Sequence, residues 1–125
     1  MTIQKILIVD DSPTERFFLS DLLTSHGYTV TTADSGEQAL ECIQADPPHL
    51  VLMDIVMPGQ NGFQATRAIA RNPLTQSLPV IICTSKAQET DRIWGMRQGA
   101  RDYIVKPVDP QLLLEKIAAL SRLPA

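Results

Sequence analysis

The stretch ILIVDDSP, residues 6–13, decides how this chain is read. Four consecutive apolar residues, Ile6 to Val9, run straight into two adjacent carboxylates, Asp10 and Asp11. An unbroken aliphatic run suits a strand covered on both faces, as strands of a parallel sheet are. Neighbouring carboxylates repel one another and are costly to remove from water. The acidic pair is a solvated strand end, a helix cap, or one wall of a cation site.

Comparable runs recur along the chain as KILIV (5–9), YTVTTA (28–33), LVLMD (50–54), PVIICT (79–84) and DYIVK (102–106). Most are apolar on consecutive residues, whereas YTVTTA alternates as an edge strand does. Helix signals fill every gap. Ser12-Pro13-Thr14-Glu15 reads as a capping box with proline at the first helical position, and Gly27 marks that helix's end. Ser35-Gly36-Glu37-Gln38 opens a second helix through Ile43, and Asn61 caps a third to about Arg71. A fourth spans about Gln88–Gln98 before Gly99, and Asp109-Pro110 opens a fifth that runs nearly to the C-terminus. Five βα units at this spacing predict an α/β fold, a doubly wound five-stranded parallel sheet with right-handed crossovers.

The length of 125 residues fits one domain, 1–125, with a core of about 4–122. Net charge is −3, with 44% hydrophobic and 20% charged residues. An acidic balance argues against nucleic acid or an anionic membrane as partner. No apolar run reaches the roughly 18 residues of a membrane span, and no signal peptide is evident. Cys42 and Cys83 lack metal-ligand spacing and read as reduced thiols of a cytoplasmic protein.

In doubly wound sheets, ligands bind outside the carboxyl ends of the strands. The first strand delivers Asp10 and Asp11 there, the third Asp54, the fourth Thr84 and the fifth Lys106. Each alone is ordinary: an acid after a strand is usually a helix cap, and a lone lysine is usually solvated. Together they change the odds. Three converging acids need a hard cation, and Mg²⁺ favours carboxylates with waters and phosphate oxygens. Lysine adds a point charge suited to a phosphoryl group, and aspartate can carry phosphate covalently.

VDDS, LMDIVMPGQNG, PVIICTSKA and GARDYIVKP resemble the receiver domains of two-component response regulators, over essentially the whole chain. The resemblance implies a flavodoxin-like, CheY-like strand order of 2-1-3-4-5. It implies Asp54 as phosphoacceptor, with Mg²⁺ (or Mn²⁺) held by Asp10, Asp11, Asp54 and the Val56 backbone carbonyl. Of the two leading acids, Asp11 is expected on the metal directly and Asp10 more through water. Thr84 is implied to turn toward the phosphoryl group, Lys106 to pair with it, and Tyr103 to act as the aromatic switch. Lys106-Pro107 is expected to be cis. Val56 and Lys86 occupy the positions that flank the attacking-water path, and an apolar Val56 implies slow hydrolysis of the phosphoryl group. DDSPTE and QETDRIWGMRQGARDYIVKPVD further resemble stand-alone PilH-type regulators of type IV pilus twitching motility.

Helical angles place Phe18, Leu19, Leu22, Leu23 and His26 on the core face of the first helix, with Phe17 opposite. An exposed Phe17 beside the acids would suit docking of a histidine kinase or phosphotransfer domain. In the fourth helix Ile93 is the expected core residue, and Trp94 is either packed or part of an output surface. The chain ends with its fifth helix, so output is expected through a downstream protein target or by draining phosphate from a kinase. A monomer is expected, with a weak dimer as the alternative. Two rivals remain: a Mg²⁺-dependent phosphohydrolase with an aspartyl-phosphate intermediate, and a pure binding module that is never phosphorylated.

Overall fold

The computed structural model describes residues 2–59 and 61–122, so Gln60 and residues 123–125 of the expected turn and C-terminus lie outside it. In chain order the elements are β1 Lys5–Val9, α1 Pro13–Ser25, β2 Thr29–Ala33, α2 Gly36–Ala45, β3 Leu50–Met53, α3 Gly62–Arg71, β4 Val80–Thr84, α4 Glu89–Arg97, β5 Asp102–Val105 and α5 Pro110–Ser121. All strand pairings are parallel, in the order β2-β1-β3-β4-β5. The doubly wound (βα)5 sheet expected from the sequence is the one the chain forms.

Alternate strand residues point to opposite faces, and that period builds two cores. Ile6, Ile8, Leu52, Ile81 and Cys83 meet Leu19 and Leu23 of α1 and Leu113 and Ile117 of α5. On the other face Leu7, Val9, Val51 and Met53 meet Ala39 and Ile43 of α2 and Ala65 and Ile69 of α3. A smaller cluster of Ile55, Ile82, Ala100 and Tyr103 lies toward α4. The edge strand β2 keeps only Ala33 buried, as its alternating sequence requires.

Helix ends are set locally. After α1, Gly27 has φ +92°, its N–H donates to Thr24 O, and Tyr28 N–H donates to Leu23 O. Gly99 repeats this Schellman pattern after α4, with bonds to Met96 O and, from Ala100, to Gly95 O. Asn61 and Gln64 form a full reciprocal capping box at α3. At α1 the reading changes: Ser12 Oγ accepts from Glu15 N–H, but Ser12 N–H donates to Asp10 Oδ1 at 2.9 Å. The half of the box assigned to Glu15 is taken by the preceding acid. At α2 the Gln38 side chain likewise accepts from Asp34 N–H rather than from Ser35.

Two expected core faces are narrower than the helical angles predicted. Only Leu19 and Leu23 of α1 are buried, while Phe18 is partly exposed and His26 is an exposed C-cap whose Nδ1 lies 2.9 Å from Leu22 O. The helix lies over the β1–β2 edge, where one i,i+4 row suffices to meet the strands. In α4 the expected core residue Ile93 is 45% exposed and Trp94 48%, and the buried residue is Gly95. The helix turns Gly95 toward β4 and β5, and at about 100° per residue Ile93, Trp94 and Met96 face away from that contact.

Candidate functional site

At the carboxyl edge of the sheet, Asp10 follows β1, Asp54 follows β3, Thr84 ends β4 and Lys106 follows β5. The backbone carries each acid to that edge: Asp10 N–H donates to Ala33 O, and Asp54 N–H donates to Val9 O at 2.9 Å. Asp10 is 2% exposed yet fully partnered. Its Oδ1 accepts from Ser12 N–H, and its Oδ2 accepts from Lys106 Nζ at 2.7 Å. Lys106 Nζ also reaches Asp54 Oδ2 at 3.2 Å, and Asp54 Oδ1 accepts from Ile55 N–H at 2.7 Å. The ammonium bridges two carboxylates that would otherwise be buried and uncompensated. Burial pulls its pKa down; the hydrogen bond to Asp10 and the charges of Asp54 and Asp10 outweigh that pull, so Lys106 titrates above its usual 10.5.

Asp11 is exposed, and one carboxylate oxygen from each of Asp10, Asp11 and Asp54 falls within 4.8 Å of the others. An all-oxygen donor set of this size fits a hard divalent cation such as Mg²⁺ or Mn²⁺ rather than a softer metal. Val56, two residues past Asp54, exposes half of its side chain beside the site.

Thr84 is fully buried, and its Oγ1 accepts from Lys86 N–H at 3.4 Å. Tyr103 is turned inward, and its hydroxyl donates to Lys86 O at 2.8 Å. Both side chains therefore meet on one residue of the β4–α4 loop. Burial pushes the Tyr103 hydroxyl up to about 12, so it stays a donor at neutral pH. The Lys106–Pro107 peptide is cis. Phe17 is 75% exposed on α1, and Trp94 sits across the sheet on α4. Under the site, burial pushes the Cys83 thiol up to about 12, despite Lys106 nearby, which makes it unreactive.

Three residues make contacts that the motifs do not signal, although Gly62 belongs to LMDIVMPGQNG itself. Arg16 donates from Nη1 to the Asp10 carbonyl at 2.7 Å, an i,i+6 contact that no motif spacing signals. Gly62 lies so close to the Asp54 backbone that an added Cβ would stand 2.0 Å from its carbonyl oxygen. His49 Nδ1 accepts from Gln4 N–H and Lys5 N–H, each at 3.0 Å, which places its proton on Nε2 and makes it an anchor for the start of β1.

A parallel sheet with three acids, a threonine and a lysine at its carboxyl edge defines a receiver. The family model described as response regulator receiver domain matches residues 6–118, and the chain belongs to that family. It is 53% identical over 116 residues to the protein PilH of Pseudomonas aeruginosa, across 93% of this chain and 96% of that relative. It is 36% identical to the response regulator PleD of Caulobacter vibrioides over 94% of this chain but only 26% of PleD, a much longer protein. A response regulator from Chloroflexus aurantiacus superposes with TM-score 0.92 at 33% identity, covering 98% of this chain and 100% of that one. The chemotaxis response regulator CheY4 of Vibrio cholerae gives TM-score 0.87 at 30% identity, over 95% and 99% of the two chains. Among the described residues no helix is long and apolar enough to cross a membrane.

Proposed function

We propose that residues 1–125 form a phosphoacceptor response regulator, in which Asp54 takes a phosphoryl group from a phosphohistidine of a histidine kinase or phosphotransfer domain. The observation that carries this reading is Lys106, whose ammonium lies 2.7 Å from Asp10 and 3.2 Å from Asp54 at three converging strand ends of a receiver-family sheet. In the transfer an Asp54 oxygen bonds to phosphorus while the P–N bond to the donor imidazole breaks. The imidazole keeps that electron pair and takes up a proton. Such a step needs positioning and charge neutralisation more than further covalent help. Asp10, Asp11, Asp54 and the Val56 backbone carbonyl are the groups that would hold Mg²⁺ or Mn²⁺, which when bound offsets the charge of the acids and phosphoryl oxygens. Lys106 pairs with one phosphoryl oxygen, and the Thr84 hydroxyl turns to donate to another.

That turn releases Lys86 N–H, on the same residue whose carbonyl receives the Tyr103 hydroxyl. Phosphorylation then shifts the balance between two surface states. Phe17 offers a docking contact for the phosphodonor, and Trp94 marks a surface for a downstream protein. The protein catalyses only its own phosphorylation and dephosphorylation. Its likeness to PilH supports a place in a type IV pilus chemosensory system.

Acetyl phosphate with a divalent cation tests the reading directly. Intact-mass spectrometry should show one added phosphoryl group, absent in Asp54→Asn. Consumption of the donor with no protein adduct would instead indicate the hydrolase, and neither adduct nor turnover the binding module. Asp11→Ala should abolish Mg²⁺ binding measured by calorimetry, because Asp11 is the exposed member of the acidic cluster; unchanged affinity sinks the proposed ligand set. Val56→Asn should shorten the phosphoryl lifetime severalfold, since an amide can orient the attacking water and an isopropyl group cannot. An equal or longer lifetime would refute that role.

A further inference from the structure

α4 carries a glycine at the seventh of its nine residues, although glycine costs about 1 kcal/mol against alanine within a helix. Such a residue calls for a packing reason. Gly95 is the buried residue of α4, while Ile93, Trp94 and Met96 around it are all partly exposed. The N-terminus of α4 has no side-chain cap, since Gln88 makes no capping bond. The helix is thus seated on the sheet chiefly through a bare Cα.

What lies beneath that Cα is specific. A Cβ built on Gly95 would stand 2.8 Å from Ile82 Cδ1 and 3.3 Å from both Cδ2 and Cε2 of Tyr103. The Tyr103 ring, 7% exposed, fills the space a side chain at 95 would need. Its inward position is the one that places the hydroxyl on Lys86 O, one residue unit from the Thr84 hydroxyl. We infer that Gly95 is a positioning residue that opens the inward seat of the Tyr103 ring, so that the placement of α4 and the rotamer of Tyr103 form a single variable. The inference deepens the receiver reading and rests on it. Gly95 thereby sets the fraction of molecules in the inward state.

A methyl group at 95 presses on two neighbours at once, the terminal methyl of Ile82 and the ring of Tyr103. Ile82→Val removes the first contact, because valine has no Cδ1, and leaves the Tyr103 ring as the neighbour that must give. The test uses the full chain with Tyr28→Phe, labelled with 3-fluorotyrosine so that one ¹⁹F signal reports Tyr103. Without phosphodonor, the H₂O/D₂O isotope shift of that signal measures exposure of the ring. Ile82→Val alone should leave the ring buried. Adding Gly95→Ala should lower the inward-to-outward ratio by about tenfold, as overpacking of a tight contact does. A ring that stays buried in the double variant overturns the inference. Should circular dichroism show that variant unfolded, Gly95→Ala with Ile82 intact carries the test with the same two outcomes. Acetyl phosphate labelling of the same samples separates the two claims. A parent protein that forms no Asp54 adduct sinks the receiver reading, whereas a normal adduct with an immovable ring sinks the role of Gly95 alone.

Discussion

Gly62→Ala is expected to cost more than about 4 kcal/mol of stability, enough to prevent stable folding of a domain this size. The added Cβ would meet the Asp54 carbonyl oxygen at 2.0 Å, and the Asp54 carbonyl carbon and Ile55 Cα at 2.7 Å. All three are backbone atoms, so no rotamer change relieves them. The backbone there is also held, because Gly62 N–H donates to Ile55 O at 3.0 Å and Asn61 caps α3 at the adjacent residue. Gly27→Ala provides the contrast. No atom lies within 4 Å of a Cβ at 27, and only its φ of +92° is unfavourable. That variant should lose about 1–2 kcal/mol. Urea unfolding of both variants checks the pair; a Gly62→Ala loss no larger than that of Gly27→Ala would show that the β3–α3 loop can move aside.

Lys106→Met should be the most costly charge removal in the chain, at about 3 kcal/mol without divalent cation. It leaves Asp10 and Asp54 buried without the ammonium that bridges them at 2.7 and 3.2 Å. Saturating Mg²⁺ should restore part of the loss, since a ligand bound only by the folded state adds stability by mass action. Lys5→Met, which breaks a 2.6 Å pair with Asp46 between exposed side chains, should cost less than about 1 kcal/mol. The pH dependence has a definite sign. Lys106 binds its proton more tightly folded than unfolded, so its contribution is complete below 10.5 and declines as pH rises through its folded value. Lys106→Met should lack that alkaline component. Equal sensitivity of the two proteins above pH 10.5 would remove Lys106 as its source.

Much of this was readable from residue order. The strands and helix starts follow from aliphatic runs and capping residues, which act over a few positions. The convergence of Asp10, Asp54, Thr84 and Lys106 follows from parallel topology, since every strand of such a sheet delivers its last residue to the same edge. Other features depended on distances between segments. Helical angles gave the side of α1 that faces the sheet but not the width of the face, which is why Phe18 and His26 lie outside the core. Ile93 looked like the anchor of α4 because it is large and apolar, whereas the anchor is the residue that permits the shortest approach.

The opening pair of acids shows where that division falls. By itself the sequence determined that Asp10 and Asp11 follow a buried strand into a helix N-terminus, because both signals are local. Tertiary structure alone decided their different environments. Asp10 turns inward between Ser12 N–H and Lys106, ninety-six residues away, while Asp11 stays exposed at the rim. The physical reason is compensation of buried charge: a carboxylate can leave water only where a donor brought by another strand meets it, and that meeting is a property of the folded sheet.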